Sequence, residues 1–187
     1  MSRFPVSLTS RQAIWDFVRN LRRTLGLEYE FYFNIVNFVE KVMPVMFPDF
    51  IFEVCTQEEM GNMHGETIPS EHKIRIREDV YNNACMDIGR DRLTMAHEAG
   101  HYFMHDEKSI IFPKSAGSGK IPTFCDPEWQ ANVFAGELLA PSYLIDGLPA
   151  YIVQKRCSVS FPCADRQLSA IESERSKQNG IVIDLDF

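Results

Sequence analysis

Residues 91–106 read "DRLTMAHEAGHYFMHD" and place His97, Glu98 and His101 in the pattern H-E-x-x-H. On an α-helix, residues four apart lie on one face, about 40° apart in projection, so both imidazole rings can point at one ion. Glu98 would then lie beside that ion without binding it. Chance produces this pattern about once in a hundred chains of this composition, so the pattern alone is only a hypothesis.

The residues around the motif predict a helix that is buried on one side. Leu93, Ala96, Gly100 and Phe103 form an apolar stripe at helical spacing. Burying histidine and glutamate on such a helix costs free energy unless these groups are paired or bind a metal. Gly100 costs a helix ~1 kcal/mol relative to alanine, which indicates a close neighbour there. The alternative is a pair of core histidines that hydrogen-bond without any metal.

A catalytic zinc ion needs a third protein ligand and leaves its fourth position to water. Asp126 followed by Pro127 predicts the start of a helix, "PEWQANVFAGELLA", which contains Glu128 and Glu137. Nine residues place these two carboxylates on opposite faces. Glu128 shares its face with small and apolar residues and is the favoured ligand, whereas Glu137 is expected in solvent or in a salt bridge. Asp126 is a rival ligand, although capping explains its position.

The remaining sequence predicts an α+β fold in a single domain, residues 1–187. Helices at about 9–45 form an N-terminal cover, and the second of them, "EYEFYFNIVNFVEKVM", ends at Pro44. The core, at about 49–145, contains the strands "FIFEVC" and "HKIRIRED" in a small, mostly antiparallel sheet. A helix and the alternating segment "IVIDLDF", which predicts a strand, complete the chain at about 164–187.

Composition narrows the class of protein. The net charge of −7 argues against direct binding of nucleic acid. No stretch approaches the ~20 apolar residues of a membrane span, and the N-terminus lacks a signal-peptide pattern, so we expect a cytoplasmic protein. The five cysteines show no C-x-x-C spacing, which argues against a disulfide framework. Residues 108–126 are rich in Gly, Pro and Ser and predict a loop beside the site.

Two segments together, "RDRLTMAHEAGHYFMH" and "EWQANVFAGELLAP", resemble the ImmA/IrrE family of metallopeptidases, with similarity over about residues 60–141. The resemblance implies a zincin-like fold in which the H-E-x-x-H helix and a glutamate-bearing helix pack with a small sheet. It also implies one zinc ion per chain, held by His97, His101 and Glu128, with Glu98 as the catalytic base. Family members typically cut a helix-turn-helix repressor in mobile-element or stress-response operons. Here that partner is expected to be a separate chain.

Peptide hydrolysis also needs a donor for the oxyanion besides the metal. His105, four residues after His101, is the first candidate, with Tyr102 and Tyr143 behind it. Two other functions stay open. One is a zinc-fold protein that sequesters a partner without cutting it, such as a toxin–antitoxin component. The other is a structural zinc scaffold in which Cys125 closes the fourth position.

Overall fold

The computed structural model describes residues 10–105 and 126–183. Over these residues the chain forms ten α-helices and three β-strands, with one π-helical stretch and one 3-10 turn. In chain order the elements are α1 (Arg11–Thr24), α2 (Ile35–Asn37), the π-helical stretch (Phe38–Val42), α3 (Met43–Met46), β1 (Ile51–Cys55), α4 (Gln57–Met60), β2 (Gly65–Ile68), the 3-10 turn (Pro69–Glu71), β3 (Lys73–Arg77), α5 (Glu78–Cys85), α6 (Gly89–Met104), α7 (Pro127–Leu139), α8 (Ser142–Ile145), α9 (Ala150–Cys157) and α10 (Phe161–Ile183).

Helices α6 and α7 form the centre of the fold and approach each other closely at a glycine. A Cβ atom added at Gly100 would lie 3.1 Å from Cδ1 of Phe134 and 3.2 Å from Cα of Ala131. Beside this crossing the rings of Phe103 and Phe134 stack with centroids 5.6 Å apart. The close neighbour that Gly100 indicated is therefore the backbone of α7.

Helix α1 covers this pair, as the apolar spacing predicts. It begins at Ser10, whose hydroxyl accepts a hydrogen bond from the amide three residues later. The ring of Phe17 lies 6.1 Å from that of Phe103 and 6.2 Å from that of Phe134, between centroids. The helix thereby buries its apolar face against both α6 and α7.

The second N-terminal helical region differs from the prediction at both ends. Residues 28–34 form turns and irregular backbone, because the side chain of Asn34 caps a helix that begins only afterwards. Pro44 does not end the helix, which continues to Met46. The π-helical stretch Phe38–Val42 widens the backbone just before this proline. Pro44 then occupies the first turn of α3, where its missing N–H costs little.

The sheet has the strand order β1-β3-β2, so β1 and β2 are its edges. Strand β2 runs antiparallel to β3, with Thr67 opposite Ile74. Strand β1 runs parallel to β3, with Ile51 opposite Lys73, so the prediction of a mostly antiparallel sheet was wrong for this pair. A parallel pair needs a crossover rather than a tight hairpin. Residues 56–72, which include α4 and β2, provide that crossover.

The C-terminal part is more helical than predicted. Helix α10 starts at Phe161 and continues through Gly180 to Ile183. Positions 181–183, predicted as the start of a strand, are therefore helical, and 184–187 lie outside the described residues. Alternation over so few residues does not specify a strand when a preceding helix can simply extend.

The α+β fold is confirmed, with one hydrophobic cluster that runs from α1 through α10. Helix α6 contacts both β2 and β3. Among residues 10–105 and 126–183, no helix combines the length and the apolar character that crossing a membrane requires. Cys55, Cys157 and Cys163 are buried free thiols, and Cys85 is exposed.

Candidate metal centre

The two histidines of α6 point into one cleft. Nε2 of His97 lies 2.9 Å from Nε2 of His101, and the ring centroids are 4.6 Å apart. Burial lowers the pKa of His97, and burial with two neighbouring histidines lowers the pKa of His101 to about 3. Both rings are therefore neutral at neutral pH. Neutral imidazole is the form that binds metal ions.

Glu128 reaches both histidines from the first turn of α7. Its Oε2 lies 3.3 Å from Nε2 of His97, and its Oε1 lies 3.3 Å from Nε2 of His101. Asp126 accepts a hydrogen bond from the Glu128 amide and serves as the N-cap, as capping predicts. About 68% of the Glu128 side chain is exposed, so its carboxylate faces both the solvent and the two histidines.

These three side chains fit a tetrahedral metal ion. Ligand atoms that lie 2.0–2.1 Å from such an ion are roughly 3.3 Å from one another. The two histidine nitrogens are 2.9 Å apart, and each lies 3.3 Å from a different oxygen of Glu128, so the three side chains are close enough to share one ion. Among the described residues, His97, His101 and Glu128 are the cluster of possible ligands, with their donor atoms within 4.8 Å of one another. Among residues 10–105 and 126–183, no fourth ligand joins this group.

The cleft has a volume of about 460 Å³ and separates the edge strand β2 from the start of α7. Its walls come from β2 and the turn after it, from one face of α6, and from the first turn of α7. The lining residues are Gly65, Glu66, Thr67, Pro69, His97, Glu98, His101, His105, Pro127 and Glu128.

Glu98 is a buried carboxylate on the wall of this cleft, with 7% of its surface exposed. Burial raises its pKa to about 7, although a hydrogen bond from Thr67 acts in the opposite direction. The Thr67 hydroxyl lies 2.7 Å from Oε2 of Glu98 and 2.9 Å from its backbone carbonyl oxygen. A Cβ atom at Gly65 would lie 2.7 Å from Cγ of Glu98. Strand β2 thus holds the carboxylate and makes room for it.

A comparison with protein families matches residues 51–156 to the IrrE N-terminal-like domain, a peptidase family. The chain belongs to this IrrE-like family. The matched region extends from β1 through most of α9 and contains every residue of the candidate site. It is wider than the similarity recognised in the sequence, and it supports the zincin-like interpretation of the fold. A search of curated proteins found no significant match.

In this IrrE-like site His105 lies behind His101. Its Nδ1 is 3.0 Å from Nδ1 of His101, and its Nε2 is 2.8 Å from Oε1 of Gln130. Although His105 lines the cleft, both of its ring nitrogens contact protein groups. Its role as a donor to the oxyanion stays a prediction.

The two tyrosines proposed behind it lie elsewhere. Tyr102 is buried, with its ring centroid 4.8 Å from that of Phe50. The Tyr143 hydroxyl donates to the carbonyl oxygen of Glu28, at 2.8 Å. Neither tyrosine is among the described residues that line the cleft. Cys125 and most of the predicted loop 108–126 lie outside the described residues.

The prediction for Glu137 was wrong. Its side chain is fully buried and accepts hydrogen bonds from the amide and the hydroxyl of Ser142, each at 3.0 Å, and from Gln167 at 3.3 Å. Burial raises its pKa to about 7. Helices α8 and α10 supply these donors and cover the second face of α7, which helical spacing within α7 alone did not indicate.

Three residues of the site were missed in the sequence. Gly65 and Thr67 lie in "HGETIPS", between the two segments predicted as strands, and they meet Glu98 across more than 30 residues of chain. Gln130 lies on α7, two residues after Glu128, and contacts His105. The sequence carries no local signal for these contacts, since each depends on how β2 and α7 pack on α6.

Proposed function

We propose that this chain is a zinc-dependent endopeptidase in which His97, His101 and Glu128 hold the metal and Glu98 is the general base. The observation that carries the proposal is the convergence of two histidines and a glutamate, with donor atoms within 4.8 Å of one another, in a cleft that also contains a buried carboxylate. Membership of a peptidase family agrees with this chemistry.

The ligand set suits zinc in a catalytic site. Two imidazole nitrogens and one carboxylate oxygen are ligands that catalytic zinc uses, with the fourth position left to water. When bound, zinc supplies Lewis acidity and a water of lowered pKa. A structural zinc site would need a fourth protein ligand, and the described residues offer three.

Glu98 is suited to act as the general base that takes a proton from the attacking water. A general base works best when its pKa lies near the working pH, and burial brings Glu98 to about 7. The Thr67 hydroxyl fixes Oε2 of the carboxylate, so Glu98 keeps one orientation in the cleft. After accepting a proton, Glu98 can pass it to the leaving amine, because both events take place in the same cleft.

The edge strand β2 offers a binding surface for an extended peptide. It pairs with β3 on one side, and on its other side it pairs with no strand among the described residues. A peptide segment can add to such an edge through main-chain hydrogen bonds. Because Gly65 and Thr67 line the cleft, an added segment would pass beside Glu98. This arrangement favours cleavage within an extended segment of a protein.

The substrate that we propose is a helix-turn-helix repressor on a separate chain, whose cleavage relieves repression. This part of the proposal rests on the ImmA/IrrE resemblance and on family membership. The net charge of −7 agrees with action on a protein rather than on nucleic acid.

The test is to incubate the zinc-loaded protein with a candidate repressor and to identify fragments by mass spectrometry. Glu98→Gln should lower kcat about 10²–10⁴-fold with intact zinc binding, because it removes the general base. Glu66→Gln is the matched control, since Glu66 lines the same cleft but pairs with Arg75 at 3.3 Å.

Equal cleavage by wild type and Glu98→Gln would contradict the role of Glu98. If zinc-loaded wild type binds the repressor tightly and yields no fragments, the protein sequesters its partner and the peptidase proposal fails.

A further inference from the structure

His101, His105 and Gln130 form a hydrogen-bonded chain that leads away from the candidate metal. Nε2 of His101 faces His97 and Glu128, while its Nδ1 lies 3.0 Å from Nδ1 of His105. Nε2 of His105 lies 2.8 Å from Oε1 of Gln130. The chain therefore begins at a ligand of α6 and ends on α7, the helix that supplies Glu128.

The direction of these hydrogen bonds follows from the amide oxygen at the end of the chain. An amide oxygen only accepts, so Nε2 of His105 must carry a hydrogen. In a neutral His105 the other nitrogen, Nδ1, is then an acceptor. Nδ1 of His101 must therefore donate to it. Neutral His101 is left with its lone pair on Nε2, the nitrogen that faces the metal position.

We propose that Gln130, acting through His105, is a positioning residue that fixes His101 in its metal-binding tautomer and orientation. The inference rests on the proposed metal site and adds two residues that support it. Ligating histidines commonly donate their second ring N–H to such a partner, which fixes the tautomer and the plane of the ring.

Burial helps these hydrogen bonds to hold the ring of His101 in one orientation. His105 has 7% of its surface exposed, and the His101 side chain has 17% exposed. At such a site an unsatisfied ring nitrogen costs free energy, so the ring of His101 has little freedom to turn. Helices α6 and α7 also supply the proposed ligands. The hydrogen bonds from His101 through His105 to Gln130 therefore couple the relative position of the two helices to the geometry of the metal centre.

Substitution at Gln130 tests the inference. Gln130→Leu removes the acceptor and should weaken zinc binding about 10–100-fold, the usual loss when a partner of a ligand is removed. Gln130→Glu keeps an acceptor oxygen and should restore an affinity close to that of wild type. His105→Phe keeps an aromatic ring, removes the hydrogen bonds to His101 and Gln130, and should weaken zinc binding like Gln130→Leu.

The readout is the zinc dissociation constant from competition with a chromogenic chelator, together with the melting temperature of the metal-free protein. Gln167→Leu is the control, because Gln167 hydrogen-bonds Glu137 and the Ala140 carbonyl in the core, away from the cleft. It should lower the melting temperature and leave zinc affinity unchanged. A purely structural role for Gln130 predicts the same behaviour for Gln130→Leu.

The tautomer can be observed directly in the zinc-loaded protein with ¹⁵N-labelled histidine. We expect NMR to show His105 neutral with its hydrogen on Nε2. A hydrogen on Nδ1 of His105, or a Gln130→Leu variant with wild-type zinc affinity, would overturn the inference.

Failure of the proposed function is distinguishable from failure of this inference. If wild type binds no zinc, both fail. If zinc binds, weakens with Gln130→Leu and recovers with Gln130→Glu, but no peptide is cut, the positioning role stands and the peptidase proposal does not.

Discussion

The two ends of α7 carry the same side chain in opposite surroundings. Glu128, in the first turn, is 68% exposed and faces two histidines across a cleft. Glu137, in the last turns, is fully buried and accepts hydrogen bonds from Ser142 and Gln167. One carboxylate is oriented toward two histidines and the other toward hydrogen-bond donors of the protein.

Under the proposed function, this difference means that burial does not identify the functional glutamate. At the open end, the carboxylate stays near water and two neutral histidines leave its charge available for a cation. At the closed end, protein donors already occupy the carboxylate, so it anchors the start of α8. Activity should therefore depend on the open end of α7, and stability on the closed end.

The largest expected effect is at the closed end. Glu137→Ala leaves the donors of Ser142 and Gln167 unsatisfied and opens a cavity in the core. We expect the free energy of unfolding to fall by about 3–5 kcal/mol, measured by urea denaturation near pH 6. Zinc affinity of the folded variant should not change. A loss of zinc affinity without a loss of stability would reverse the assignment of the two ends.

The pH dependence of stability provides a second test. Burial raises the pKa of Glu137 to about 7, above the ordinary value of a glutamate. A carboxyl with a raised folded pKa stabilises the fold fully below its unfolded pKa, and this contribution is lost as pH rises through about 7. Relative to Glu137→Gln, wild type should lose about 3 kcal/mol between pH 4.5 and pH 7. Parallel pH profiles for the two proteins would contradict a buried, titrating Glu137.

The third test concerns strand β2, which lies across the cleft from Glu128. Gly65→Ala places a Cβ atom within 2.7 Å of Cγ of Glu98, so the carboxylate must move. A displacement near 1 Å at a catalytic group can cost about 10²-fold in rate. We expect kcat to fall by about that factor with zinc binding intact, measured on a cleavable peptide. Thr67→Val should also lower kcat, since it removes the hydrogen bond to Glu98. Full activity in both variants would show that β2 does not position the base.

The sequence predicted the parts of the site that depend on local spacing. The four-residue separation of His97 and His101 and the cap at Asp126 both hold in the structure. The sequence missed what depends on packing between distant elements. Glu137 is buried by α8 and α10, and Thr67 reaches Glu98 from β2, which lies outside the two predicted strands.

For the fold, too, the sequence predicted what depends on local spacing and missed what depends on packing between elements. Apolar patterning located α1, β1, β3 and α6, and the Asp126–Pro127 pair located the start of α7. It could not give the direction in which β1 pairs with β3, since parallel and antiparallel strands bury residues with the same alternation. The π-helical stretch before Pro44 was also missed, because a widened turn has no local sequence pattern of its own.

The most direct test of the metal site is the zinc content and zinc dissociation constant of wild type beside Glu128→Ala and Glu137→Ala. We predict close to one zinc per chain in wild type and in folded Glu137→Ala. For Glu128→Ala we predict a loss of affinity larger than the roughly 10–100-fold expected for a supporting residue. A wild-type protein that takes up no zinc on reconstitution, or a Glu128→Ala variant that binds zinc as tightly as wild type, would contradict the three-ligand site.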